Sequence, residues 1–184
     1  MVVAFTSGAN SLPEGLVEHF ILPAVKANSP LPPNEGANKT LQSLIAEAAA
    51  AKPLPVAPFP PIARRISGRI FEMESAVYGY NSFSLTFTKN NECFLRLNDK
   101  LEVPVGLDHV YRIMDLKGNS GIDTDPIAAR GHWVDQEEFQ LEWQSLLPAD
   151  KLEITLTFSP EMVKMVLENS VTRQVDFGKG KVRP

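Results

Sequence analysis

About ten short strand-like runs follow one another between residues 64 and 177, and turn residues separate them. The clearest run covers residues 81–89, where Phe83, Leu85 and Phe87 alternate with serine and threonine. Alternation with a period of two is typical of a strand that has one buried face and one solvated face. A succession of such segments predicts an antiparallel sheet that folds into a barrel or a sandwich.

The turn residues and the apolar alternation together set the predicted strand boundaries. We predict strands at residues 64–73, 81–89, 92–98, 101–105, 109–114, 127–134, 138–144, 151–158, 162–168 and 171–177. Two of them carry clear inward rows, which are Phe139, Leu141 and Trp143 in one strand and Leu152, Ile154, Leu156 and Phe158 in the next.

The first 52 residues follow a different pattern. An apolar strand-like run lies between Val2 and Thr6, a helix is predicted from about residue 11 to residue 25, and a second helix from about residue 38 to residue 51. Residues 53–63 are rich in proline, which predicts a stiff extended linker. The sequence therefore predicts an α+β chain. A strand and two helices fill residues 1–52, and an antiparallel β-barrel or sandwich of about eight to ten strands fills residues 64–184.

Charge and hydropathy exclude some classes of partner. The net charge of −4 over 184 residues argues against nucleic acid binding, which needs clustered cations to neutralise phosphates. The closest basic cluster is Lys179, Lys181 and Arg183, and we interpret it as a solvated C-terminus. Apolar runs fall short of the ~20 residues that span a bilayer, so no membrane span is expected. The start of the chain is too short and uncharged for a signal peptide, and the compartment stays open.

The residue types of catalysis do not fall into catalytic patterns. No Ser-x-x-Lys pair, no Gly-x-Ser-x-Gly elbow and no glycine-rich phosphate loop occurs. The histidines, His19, His109 and His132, lack metal-ligand spacing. Cys93 is the only cysteine and shares a strand face with leucines, so it is expected to be a small core residue. We therefore predict no catalytic residues, no metal and no cofactor.

The most plausible binding segment is residues 130–135. Arg130 and His132 share one face of this strand and Trp133 lies on the other, so a core position for Trp133 would place the two basic side chains outside. There they could bind a partner or an anionic ligand, with Glu142 as a cross-strand neighbour and Tyr111 as a fourth candidate. The alternative is an ordinary solvated strand face.

Two stretches then show a family resemblance. Val-Pro-Val-Gly-Leu-Asp-His-Val-Tyr-Arg at 103–112 and Arg-Gly-His-Trp-Val-Asp at 130–135, with Phe-Gln-Leu-Glu-Trp at 139–143, form its main part. They resemble the β-rich, lipocalin-like C-terminal module of β-lactamase-related, penicillin-binding-protein-like serine hydrolases. Residues 2–7 look like the last strand of such a catalytic domain, and residues 15–25 like its closing helix. The family's Ser-x-x-Lys pair, Tyr-x-Asn loop and Lys/His-x-Gly strand have no counterpart here.

The resemblance implies a non-catalytic accessory module that packs against the hydrolase domain or regulates it, in a bacterial family whose members are often exported. The implied partner is that catalytic domain or a second copy of this chain, in a homodimer joined through Val2 to Thr6. Two alternatives stay open. The barrel could be a lipocalin-like binder of a small apolar ligand, or a stand-alone hydrolase built on Arg130, His132 and Glu142.

Overall fold

The computed structural model describes residues 15–25, 32–50, 52–89, 91–115, 126–146 and 149–184. The chain divides into two compact units, Met1–Lys52 and Pro53–Pro184. The strand expected between Val2 and Thr6, and the dimer contact expected through it, lie outside the described residues.

The first unit contains short helical elements. A π-helical turn, Val17–Ile21, runs into α1, Leu22–Ala24, and α2 spans Glu35–Ala49. The side chain of Asn34 accepts a hydrogen bond of 2.9 Å from the N–H of Ala37 and so caps α2. This cap makes α2 begin three residues before the predicted start at residue 38. Within the described residues, no helix combines the length and apolar character that crossing a bilayer requires.

The second unit is a β-barrel that one short helix, α3 at Pro61–Ile66, precedes. Its strands are β1 (Ile70–Val77), β2 (Tyr80–Phe87), β3 (Glu92–Leu97), β4 (Leu101–Gly106), β5 (Arg112–Met114), β6 (Ile127–Trp133), β7 (Glu138–Leu146), β8 (Ala149–Phe158), β9 (Met162–Asn169) and β10 (Val175–Val182). Their order in the sheet is β4-β3-β2-β1-β10-β9-β8-β7-β6-β5. The predicted α+β class with a barrel of eight to ten strands is confirmed.

The barrel closes where β4 meets β6. Gly106 and Arg130 form a parallel bridge there, while β5 pairs with the other half of β6 and stays outside the nine-stranded ring. The chain reverses sharply after β4, with His109 at φ 63°. A side chain on Gly106 would collide with the carbonyl oxygen of Val110, so this approach requires glycine. Among the described residues, this bridge is the one parallel contact in an otherwise antiparallel sheet.

Aromatic side chains fill the interior at one level of the barrel. The rings of Trp133 and Phe139 lie 5.2 Å apart, and both also contact Phe87. Phe158 stands 6.1 Å from Trp133 and 5.5 Å from Phe71. Offset and tilted rings at these distances pack favourably. The inward rows predicted for β7 and β8 are confirmed, since Phe139, Leu141, Ile154, Leu156 and Phe158 are buried and Trp143 and Leu152 are partly buried against the same core.

The proline-rich segment differs from the expected free linker and from the strand predicted at residue 64. Val56 and Phe59 pack against the barrel core, and the N–H of Leu54 donates to the carbonyl of Asp108 at 3.0 Å. Pro61 then begins α3, whose Ile62 and Ile66 are buried in the same core. Proline suits a helix start because its missing N–H would be unpaired there anyway.

The face of β2 that was predicted to be solvated is more buried than alternation alone implies. Ser82 and Ser84 are buried along with Phe83 and Leu85. Ser84 lies directly between Ile70 on β1 and Arg96 on β3, whose longer side chains flank it on both sides. A small polar residue between long neighbours is shielded even on the outer face of a sheet.

Candidate functional site

Strand β6 presents the predicted basic residues to the outside of the barrel. Trp133 packs on Phe87, Phe139 and Phe158 in the interior. Because successive strand residues point to opposite faces, Arg130 and His132 lie on the outer face, as expected for an inward Trp133. The orientation predicted for this segment is confirmed.

Arg130 faces Glu142 directly across the β6–β7 ladder. Its Nη2 lies 2.8 Å from Oε1 and 3.1 Å from Oε2 of that carboxylate, and its Nε is 3.1 Å from Oε1. Glu142 also accepts hydrogen bonds from the hydroxyl of Tyr111 at 2.7 Å and from Nζ of Lys151 at 3.0 Å. One carboxylate therefore gathers three donors from β6, β8 and the segment before β5. We call Tyr111, Arg130, Glu142 and Lys151 the Glu142 cluster.

The arginine in this cluster has further partners. Its guanidinium carbon stands 4.5 Å from the centre of the Tyr111 ring, a cation–π arrangement. Its Nη1 donates to the carbonyl of His109 at 3.1 Å. Lys151 in turn pairs with Glu153 at 2.9 Å. Each of the three nitrogens of Arg130 is thus engaged by the protein, which leaves an anionic ligand little to bind.

The protonation states of the cluster follow from these contacts. Burial raises the pKa of Glu142, but hydrogen bonds from Tyr111, Lys151 and Arg130 outweigh it and bring that pKa to about 2. Burial and the bond to Glu142 raise the pKa of Tyr111. The bond to Glu153 and the pair with Glu142 raise the pKa of Lys151. At neutral pH Glu142 is therefore ionised, Lys151 charged and Tyr111 neutral, which suits binding between strands more than proton transfer.

The fourth predicted residue, His132, lies beside this cluster without bonding to Glu142. Its ring stacks on the ring of His109, with 5.1 Å between centres and 29° between planes. Burial lowers the pKa of His132, and the neighbouring His109 lowers it further. The structure thus brings Tyr111, Arg130 and Glu142 into contact, and places His132 next to them through the histidine stack.

A second ion network stands at the barrel closure, and the sequence analysis missed its centre, Arg112. Arg112 binds both oxygens of Asp108, at 3.1 and 3.0 Å, and its Nε lies 2.6 Å from Glu92. Asp108 also accepts a hydrogen bond from the N–H of Val110 at 3.2 Å, as an aspartate that caps a turn does. Burial raises the pKa of Asp108, yet the bonds from Arg112 and Val110 lower it overall. The spacing of four residues between Asp108 and Arg112 was the available signal.

A third feature is the outer face of β9 and β10. Phe177 lies opposite Val166, and Lys179 lies opposite Lys164, so an apolar pair stands next to a pair of like charges. Phe177 is 73% exposed. Lys179 belongs to a strand here, which corrects its interpretation as part of a solvated C-terminus. We call Lys164, Val166, Val175, Phe177 and Lys179 the Phe177 face.

Glycines explain why the part of β10 after Phe177 was not predicted. Gly178 and Gly180 point inward, where an added side chain would strike Met73. The alternating sequence Phe-Gly-Lys-Gly-Lys at 177–181 therefore has the period of a strand, but its inward positions are empty of apolar side chains. Reading glycine as an inward residue would have recovered β10 and its lysines.

The remaining nucleophile and metal-ligand candidates lie apart. Cys93 is buried in the core, as expected, and burial together with the charge of Glu92 raises the pKa of its thiol. Across the described parts of the chain, no three His, Cys, Asp or Glu side chains converge as they would around a metal ion.

Comparison with known proteins identified no relative of this chain. It matches no protein-family profile, no curated protein and no solved structure. The function is therefore argued from the residues and contacts above.

Proposed function

We propose that this chain is a non-catalytic accessory module of a β-lactamase-related serine hydrolase, and that it packs against the catalytic domain or regulates it. The likeness of residues 103–112, 130–135 and 139–143 to the C-terminal module of those enzymes supplies the parent class. Residues 103–112 include the reversal at the barrel closure, residues 130–135 include the end of β6, and residues 139–143 lie within β7. The resembling stretches thus belong to adjoining parts of one barrel.

The observation that carries the non-catalytic part of this proposal is the closure of the Glu142 cluster on itself. A general acid or base needs a pKa near the working pH, and the pKa of Glu142 is about 2. A nucleophile needs an adjacent base, whereas Tyr111 donates to a carboxylate that Arg130 and Lys151 already neutralise. These side chains join β6, β7 and β8 and the segment before β5 into a firm outer wall.

The experiment compares this chain alone with a mixture. The purified chain is assayed on nitrocefin and p-nitrophenyl acetate, and is then added to the catalytic domain of the β-lactamase-related hydrolase encoded nearest to it. We expect no turnover by the chain alone, and a shift in the Tm or the kcat/KM of the catalytic domain on mixing. Turnover by the chain that His132→Ala abolishes would support the stand-alone hydrolase instead. A catalytic domain that neither binds the chain nor changes its kinetics would refute the accessory role.

One observation favours the second candidate, a lipocalin-like binder of a small apolar ligand. Within the described residues, the indole N–H of Trp133 is buried and has no hydrogen-bond acceptor. A ligand carrying one polar atom would satisfy it, because an unpaired buried donor costs about 1 to 3 kcal/mol. Against this candidate, Phe87, Phe139 and Phe158 already pack on that ring.

Titration with fatty acids and hydrophobic dyes separates the two candidates. A binder would show a rise in Tm and a change in tryptophan fluorescence, and Trp133→Phe would weaken binding while Trp143→Phe would not. The accessory module would show neither change with any of these ligands.

A further inference from the structure

The Phe177 face differs in two ways from a sheet surface that contacts only solvent: it exposes an apolar cluster, and it places two lysines opposite each other. Phe177 exposes 73% of its surface and stands opposite Val166, with Val175 two residues away on the same face and also exposed. Aromatic side chains are enriched in the cores of protein interfaces rather than at solvent. Exposed apolar groups that lie together on one face, bordered by polar residues, mark interaction sites.

The lysine pair is the second departure. Lys164 and Lys179 lie directly opposite each other on neighbouring antiparallel strands, and both are exposed. Like charges in directly opposed positions destabilise a sheet. Among the ion pairs of the described residues, neither lysine has a carboxylate within 4.0 Å. The isolated chain thus keeps a local repulsion beside the exposed ring of Phe177.

The acidic residues nearest to this face do not relieve that repulsion. Glu168, opposite Val175, pairs with Arg173 at 3.5 Å. Glu72, which stands opposite Lys181, binds Arg183 at 2.7 Å. The carboxylates along the border therefore already have cationic partners within the barrel. A carboxylate supplied by a partner would relieve this repulsion.

The positive charge of Lys164 and Lys179 also indicates what kind of partner fits this face. A second copy stacked on this surface with its strands running in the same direction would bring lysine pairs toward lysine pairs, which is unfavourable. A surface with an apolar recess bordered by Asp or Glu would complement both the ring and the cations. Local rules of sequence and structure are broken mainly at functional sites, where a partner offsets the cost.

We infer that the Phe177 face is the docking surface for an acidic-rimmed apolar recess on the catalytic domain. Phe177 enters the recess, Val166 and Val175 pack around its mouth, and Lys164 and Lys179 pair with carboxylates on the rim. This inference rests on the proposed accessory function, because it names the part of the barrel that the catalytic domain contacts.

The test measures binding of the full chain to the catalytic domain used above, by calorimetry at 50 and 300 mM NaCl. Phe177→Ser is expected to weaken binding at least tenfold, and Lys179→Glu by a similar factor at low salt with a smaller effect at high salt. The matched control is Ile113→Ser, because Ile113 is 67% exposed in a strand outside the barrel ring. It should change the Kd less than twofold.

The outcomes separate the inference from the function beneath it. If the wild-type chain does not bind the catalytic domain, the accessory function fails and this inference with it. If the wild type binds and Phe177→Ser and Lys179→Glu behave like Ile113→Ser, the accessory function stands and the docking face is elsewhere. Thermal melts of each variant show whether a loss of binding reflects unfolding. Lys179→Glu should melt no lower than wild type, since it removes a repulsion.

A membrane is the competing occupant, since exposed aromatic and lysine side chains also bind anionic lipid surfaces. The same variants are therefore sedimented with vesicles of equal parts phosphatidylglycerol and phosphatidylcholine. We expect no binding by the wild type, in line with its net charge of −4. Vesicle binding that Phe177→Ser abolishes would overturn the protein partner.

Discussion

Two outer faces of one barrel handle charge in opposite ways. On β6–β8, Glu142 collects Arg130, Lys151 and Tyr111, and every donor points at an acceptor of the same chain. On β9–β10, Lys164 and Lys179 oppose each other next to an exposed phenylalanine. The difference teaches that a cluster of titratable residues can serve to connect strands within the chain. A face without such a cluster can be the one whose charged groups lack partners.

The contrast is sharpest between two phenylalanines, one buried and one exposed. Phe139→Ala should destabilise the barrel by about 3 to 5 kcal/mol, because it leaves a cavity among Trp133 and its neighbours. Phe177→Ala should change stability by less than about 0.5 kcal/mol, since its ring is largely in water. Urea unfolding of both variants measures this. Similar losses for the two would mean that Phe177 is covered in the free chain.

The Glu142 cluster can be disrupted by removing the charge of its carboxylate. Glu142→Gln keeps the shape but removes the charge shared by Arg130 and Lys151, and should cost about 2 kcal/mol in this partly buried setting. Glu153→Gln is the matched control, because that carboxylate is more exposed and, among the described residues, pairs with Lys151 alone; it should cost about 0.5 kcal/mol or less. Equal effects in chemical denaturation would argue that the cluster adds nothing beyond a surface pair.

The same carboxylate predicts how stability depends on pH. The pKa of Glu142 falls from an ordinary 4.5 to about 2 on folding, so its stabilisation is complete above pH 4.5 and is lost as pH falls toward 2. The loss should be on the order of 1 to 2 kcal/mol after allowance for solvent screening. Glu142→Gln should reduce the slope in this window. A residual slope of the same sign is expected from Asp108, whose pKa is also lowered.

The smallest expected effect concerns the lysines. Lys164→Thr should stabilise the free chain by about 0.5 kcal/mol, because it removes the repulsion with Lys179. Lys181→Thr gains the same strand propensity but loses the favourable neighbour Glu72, so it should be neutral or slightly destabilising. The difference between the two variants should shrink in 1 M NaCl. Identical shifts would show that propensity, and not repulsion, sets the result.

Much of the fold was predictable because apolar alternation marks each strand independently of its neighbours. Strand β3 begins at Glu92, where it was expected, and β6 begins at Ile127. The errors fell where another force decided. Pro61 begins a helix where a linker was expected. The side chain of Asn169 accepts hydrogen bonds from the N–H groups of Val171 and Thr172, so a turn occupies the start of the predicted last strand.

For the Glu142 cluster, the sequence predicted which residues take part but not how they bond to one another. Alternation placed Arg130 and His132 on the outer face, and pairing across the ladder offered Glu142. The saturation of those donors depends on register and on Lys151, which lies two strands from Arg130 in the sheet and carries no motif. The Phe177 face was missed because its inward partners are glycines, and a pattern search that follows apolar residues passes over them.

The contact between β4 and β6, which closes the barrel, is shorter than the contacts between its other strands. Its neighbouring strands are joined by ladders of several residues, whereas these two edges share the bridge between Gly106 and Arg130 in the part of the chain that the structure describes. With so short a backbone ladder, cohesion at this join depends on the side chains that stand beside it, which are the ion network of Arg112, Asp108 and Glu92.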